Sequence, residues 1–221
     1  MTLDKEDIYD IAKAVVKVIE DKDMMKSEEK DSSNDVNDIV KFTEVNPKVQ
    51  IGTLNPGDVF KIADREWILL EHREQLNGCF VITKNVMEPI SEFDASTNNW
   101  RYSNLRCHLQ STLKFEIEDY FHDQNTIMLT ERNLIALDGT TYGSLFEEIS
   151  LLTLDEYRKY RKYIEHIMSD HWLLTPDSTT NNMVCFVDIS GRIDSDYYGN
   201  YSYVCPVCTL KQGALVEKVS G

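Results

Sequence analysis

The chain has 221 residues, a formal charge of −15, 42% hydrophobic content and 11 Tyr, 8 Phe and 3 Trp. That is enough apolar and aromatic mass for one ordinary domain with an appendage. The acidic balance argues against nucleic acid and against anionic membrane surfaces, both of which need clustered Lys and Arg, and no apolar run approaches the ~18 residues that span a bilayer.

The opening MTLDKEDIYD is acidic and lacks the basic and apolar regions of a secretory signal. Five irregularly spaced cysteines do not make a disulfide framework. The expected setting is therefore the cytoplasm, or a virion after lysis. From Asp4, a plausible N-cap, the apolar residues Ile8, Ile11, Ala12, Val15, Val16 and Ile19 recur at helical spacing. Residues 1–22 thus predict an amphipathic helix, and residues 23–50, with SEEKDSSNDVND, an acidic linker. A helix of this length is marginal alone in water. Its stripe of Ile8, Ile11, Val15 and Ile19 is expected to dock on a partner or a second copy of the chain, with packing on its own domain as the alternative.

A folded domain is expected over residues 51–212, with 213–221 as a tail. Asn55-Pro56-Gly57-Asp58 reads as a turn, followed by VFKI and WILLEH; Gln75-Leu76-Asn77-Gly78 is a second turn, followed by CFVIT. Three short strands so separated predict an antiparallel meander. Ser103 caps a predicted helix carrying Leu105, Leu109 and Leu113. Thr153-Leu154-Asp155-Glu156 is a capping box that opens a second, with Tyr157, Tyr160, Ile164 and Ile167 as its stripe. The last third returns to strands in MVCFVDI, GRI after a Ser190-Gly191 turn, and YSYVCPVCTL. Strands, helices and strands again predict an α+β domain with antiparallel strands and two helices.

Three pieces in order carry a resemblance. They are Trp100-x-x-Ser103-x-Leu105-Arg106-x-x-Leu109, then Ile149-Ser150-Leu151-Leu152-Thr153-x-x-Glu156, then Trp172-Leu173-Leu174-Thr175-Pro176, followed by Val184-x-x-Val187, Gly191 and Val204-x-Pro206. Between about Leu54 and Leu210 the chain resembles a bacterial and phage domain family of unknown function with the pattern W-x-x-S-x-L-R, F-L-L-S-x-x-E, W-W-L-R-T-P and V-R-P. Such families are similar to the C-type-lectin-like fold shared by formylglycine-generating enzymes and the variable proteins of diversity-generating retroelements, and the resemblance implies that fold here. Leu174 and Cys205 stand where the family has arginines, and His171 stands where it has the first Trp. If those arginines pair with carboxylates, losing both implies a repacked, more apolar interior.

Cys205-Pro206-Val207-Cys208 is half of a four-ligand zinc site at most. Its flanks read as strand, whereas a redox C-x-x-C opens a helix, so the two thiols are expected to be structural. The histidines are scattered without metal spacing, and the acidic loop Asp188 to Asp196 matches no calcium loop. No catalytic residue, metal ligand or cofactor is predicted; a formylglycine-type oxidase would need a copper-binding cysteine pair that this context does not supply. What remains is SDYYGNYSY. Tyr, Ser, Gly and Asn together are the composition of recognition loops, although tyrosine also favours half-buried strands. The candidate binding residues are Tyr197, Tyr198, Asn200, Tyr201 and Tyr203. The expected function is a non-enzymatic binding module, encoded by a phage or mobile element, that recognises a protein or surface glycan. The alternative is an intracellular enzyme or regulator on the same fold.

Overall fold

The computed structural model describes residues 47–178 and 182–219; the predicted N-terminal helix with Ile8, Ile11, Val15 and Ile19, and most of the linker, lie outside the described residues. β1 (Lys48–Gln50), β2 (Val59–Ile62), β3 (Arg65–Arg73), β4 (Gly78–Thr83) and β5 (Met87–Glu92) precede α1 (Asn104–Phe121). The hairpin of β6 (Thr130–Ile135) and β7 (Thr141–Glu147) and the short β8 (Ile149–Ser150) precede α2 (Leu154–Ile164). Then come β9 (His171–Asp177), β10 (Met183–Val187), β11 (Ile193–Tyr197), β12 (Tyr201–Val204), β13 (Val207–Lys211) and β14 (Leu215–Lys218).

These strands make a seven-stranded sheet in the order β1-β14-β2-β3-β4-β13-β8, a five-stranded sheet in the order β11-β10-β9-β12-β5, and the β6-β7 hairpin. The pairings are antiparallel except where Tyr203 of β12 lies parallel to His171 of β9. The architecture is α+β, with antiparallel strands and two helices among the described residues.

Local sequence accounts for the meander β2-β3-β4. At its entry the Asp58 N–H donates to the Asn55 carbonyl and the Asp58 carboxylate accepts from the Asn55 N–H, both at 2.9 Å, while Gly57 takes a φ of +98°. Ser103 caps α1 by accepting from the Arg106 N–H, and the Thr153–Glu156 capping box of α2 is fully formed.

Two buried clusters lie on opposite faces of the central strands. Trp67, Leu69, Cys79 and Val81 join Leu105, Leu109, Leu113 and Ile117 of α1; Ile68, Leu70, Phe80 and Ile82 join Tyr157, Tyr160 and Ile164 of α2. Because both faces are covered, β3 and β4 read as continuous apolar runs rather than alternating ones. Trp172 is 1% exposed in the α1-side cluster.

Two expectations change. Residues 48–50 and 215–218, expected in the linker and tail, are β1 and β14, paired with each other, with β14 also paired to β2. YSYVCPVCTL is not one strand: it breaks at Cys205-Pro206, and β12 and β13 belong to different sheets, the Pro206 carbonyl accepting from the Thr83 N–H. Leu174 lies in the α1-side cluster and Cys205 in the α2-side cluster.

The break also separates the thiols. Cys205 lies in the α2-side cluster and Cys208 in the α1-side cluster. Burial pushes both thiols up, and raises Cys79 and Cys185 to about 11. Only Cys107 of the five is exposed. Native protein should therefore react with a thiol-directed probe at one cysteine, Cys107, and at all five once unfolded; rapid native labelling at any other position counts against this packing.

Candidate functional site

The predicted tyrosines sit on and around the β11-β12 turn, and the fold divides them. Tyr201 is 66% exposed and Tyr197 40% exposed, whereas Tyr198 packs against the α1-side cluster and Tyr203 is half-buried. The turn is fixed by its backbone. The Tyr198 carbonyl accepts from the N–H groups of Phe93 and Asp94, and the Asn200 N–H donates to the Tyr197 carbonyl. The Asn200 amide donates to the Asp196 carboxylate at 2.7 Å. The Tyr197 and Tyr198 rings lie 4.5 Å apart between centroids, and a Cβ on Gly199 would come within 2.5 Å of the Tyr197 ring, so a side chain there would displace that ring. Tyr201 stands opposite Glu92 of β5, and Tyr203, two residues on, shares its strand face.

Two concavities flank α2. The larger, about 490 Å³, lies at its N-terminus and carries the exposed Ile135 and Leu137 along one side, with Asp155 and Arg158 on the helix. Its floor holds Arg132, 4% exposed, whose Nη1 donates to Glu156 Oε1 at 2.7 Å and whose Nη2 donates to Glu156 Oε2 at 2.5 Å and to the Leu151 carbonyl at 2.7 Å. Burial pushes the Glu156 carboxyl up, but the Arg132 guanidinium, its hydrogen bonds, the Thr153 N–H and Arg73 outweigh this and hold it below its ordinary 4.5. On the other side Glu147, 2% exposed, accepts from Arg106 Nε at 2.6 Å and from the Gln110 amide; burial still keeps its carboxyl above the ordinary value. These charges are engaged with one another, which is the chemistry of a structural network.

The smaller concavity, about 290 Å³, lies along the C-terminal half of α2 and is lined by Tyr157, Arg161, Met168, His171 and Ile189 among others. His171 is 2% exposed, and its Nδ1 lies 2.8 Å from the Ser169 carbonyl. A carbonyl only accepts, so Nδ1 carries the proton and Nε2 presents a lone pair; that atom is buried without a partner among the described residues. Burial lowers the His171 pKa below 6.5, against the Ser169 carbonyl and Asp170. The unfolded chain thus takes up a proton that the folded chain refuses, and stability should fall as pH drops through 6.5. Denaturant melts across that range should show the fall in the wild type and a flatter profile in His171→Leu; parallel profiles would mean His171 titrates alike in both states.

No group of three or more His, Cys, Asp or Glu side chains is placed to hold a metal among the described residues, and no described helix is long and apolar enough to cross a membrane. Comparison with protein-family models, with curated proteins and with solved structures finds no match. Sequence reading missed Arg132, whose partner Glu156 is remote in the chain, and the concavity at His171. The one local sign of the latter was a histidine at the head of the apolar run HWLL.

Proposed function

We propose that the chain is a non-enzymatic binding module of the C-type-lectin-like class, and that the β11-β12 turn is its recognition surface for a protein partner. The observation that carries this is the exposure of Tyr197 and Tyr201 on a turn whose backbone is already hydrogen-bonded. Rigid aromatics offer contact area at low entropic cost, and tyrosine is enriched at the centres of interfaces. Glu92 opposite Tyr201 and the exposed Asp194 add an acidic border, which suits a basic patch on the partner and predicts binding that weakens with salt. The fold-class assignment rests on the order of the Trp100, Ile149 and Trp172 motifs, and the two helices and antiparallel sheets are compatible with it. The N-terminal stripe of Ile8, Ile11, Val15 and Ile19 would give the module a second contact, to a partner or to another copy. A role in a phage or mobile element belongs to the same reading.

Alanine at Tyr197 or Tyr201 should weaken partner binding by ~1–2 kcal/mol or more and move stability by less than about half a kcal/mol. Tyr198→Ala should do the reverse, because that ring packs on the core. Paired affinity and melting measurements on the three variants test the assignment. Unchanged affinity at positions 197 and 201 would return the turn to ordinary surface, and binding only to a glycan would change the partner class.

A further inference from the structure

The β6-β7 hairpin buries one face and leaves the other to solvent. Arg132, Leu134, Leu145 and Glu147 are buried, whereas Glu131, Asn133 and Ile135 of β6 and Ser144 and Phe146 of β7 are exposed. Side chains alternate between the faces of a strand, so the exposed set shares the outer face, with Glu131 opposite Phe146 and Asn133 opposite Ser144. Apolar side chains stand at both ends of that face. Phe146, 65% exposed, lies at one end with Leu129, 62% exposed, just before β6. Ile135, 52% exposed, lies at the other, followed by the exposed Leu137. Large apolar side chains grouped in this way at the surface mark an interaction site. At the Ile135 end the face borders the concavity of about 490 Å³, whose lining also includes Asp155 and Arg158 of α2.

Spacing and charge say what would cover it. From Glu131, opposite Phe146, to Ile135 is ~13 Å along the strand, close to the ~11 Å of two helical turns. A helix laid on a sheet is a standard way to bury an apolar sheet face. The Glu131 carboxylate makes no ion pair or side-chain hydrogen bond among the described residues, while Asp155 is paired with Arg158 at 3.1 Å. On the β7 side the Arg101 guanidinium donates to the Ser144 carbonyl at 2.6 Å. The free charge on the outer face is thus a carboxylate, on its β6 side. A second copy of the chain, at −15, would bring acid to acid. We propose that the outer face of the β6-β7 hairpin docks an amphipathic helix of a partner protein, with apolar anchors about two turns apart and a Lys or Arg that meets Glu131. One anchor rests on Phe146 and Leu129, and the other enters the concavity beside Ile135 and Leu137. This surface is separate from the β11-β12 turn.

The probe is a fluorescently labelled, alanine-based helical peptide of about 16 residues. It carries leucines two turns apart with lysines beside them, and is titrated into the full chain by anisotropy. Two matched peptides, one with serine for leucine and one with glutamate for lysine, separate the apolar and charged contributions. The leucine-lysine peptide should bind saturably below about 1 mM, and each matched peptide about fivefold more weakly or worse. Phe146→Ser and Ile135→Ser, both at exposed positions, should each weaken it by a similar factor. Glu131→Lys should narrow or reverse the preference for lysine over glutamate. Tyr201→Ala should leave binding unchanged, which keeps this outcome separate from any failure of the β11-β12 surface. No saturable binding, equal affinity for the serine-lysine peptide, or indifference to both hairpin serine variants would overturn the proposal. A wild-type dimer in sedimentation that Phe146→Ser converts to monomer would overturn it too, and give the face to a second copy.

Discussion

Arg132→Ala is expected to destabilise the domain by about 3–5 kcal/mol, because it removes one partner of a buried, doubly hydrogen-bonded ion pair and strands the other. Arg132 is 4% exposed and holds both Glu156 oxygens and the Leu151 carbonyl. Without it Glu156 keeps the Thr153 N–H at 2.9 Å and Arg73 at 3.5 Å, and Arg73 is divided between Glu156 and Thr209. Lysine at position 132 cannot reproduce the two-pronged geometry and should recover only part of the loss. Arg132→Met combined with Glu156→Gln should be milder than Arg132→Ala alone, since no charge is left stranded. Urea melts of the three variants decide the matter; a loss below about 1 kcal/mol for Arg132→Ala would mean that the pair behaves like an exposed one.

Trp172→Ala should destabilise by a similar ~3–5 kcal/mol for a different reason, the cavity left by a large buried ring. The indole lies edge-on to Phe93 at 6.1 Å and Phe186 at 6.3 Å between centroids, and its Nε1 donates to the Ser91 carbonyl at 2.9 Å. That bond ties β9 to β5, which are separated by β12 in the sheet order. Trp172→Phe keeps much of the apolar contact but leaves the Ser91 carbonyl without its donor, so about 1–3 kcal/mol is expected there. Equal losses for the two variants would show that the hydrogen bond, not the ring volume, dominates.

The two cases mark what local sequence reveals. Thr153 and Glu156 announce the start of α2 because a capping box is a three-residue spacing. Nothing near Glu156 discloses that it also anchors Arg132, since β6 is brought there by tertiary packing. For Trp172 the local marks of burial are the apolar Leu173 and Leu174 beside it and Pro176, which blocks a helix there. The β6-β7 hairpin was missed although Asp138-Gly139 is a strong turn dipeptide: Gly139 takes a φ of +85° and Thr140 N–H donates to the Asp138 carboxylate. β5 was missed because a proline interrupts its short run, which an edge strand tolerates. In the tyrosine cluster, composition pointed to the loop, but only the pairing of Tyr198 with Phe93 and Asp94 divides core-packed from exposed rings.

The central claim is that the exposed tyrosines of the β11-β12 turn bind a partner. Its most direct test immobilises the full-length wild-type chain and a Tyr197→Ala/Tyr201→Ala double variant of matched melting temperature, and compares quantitatively what each retains from lysate of cells that produce it. The account predicts a protein retained by the wild type, released by salt, and lost from the double variant. Equal retention by the two chains, or no retained protein on the wild type, would contradict it.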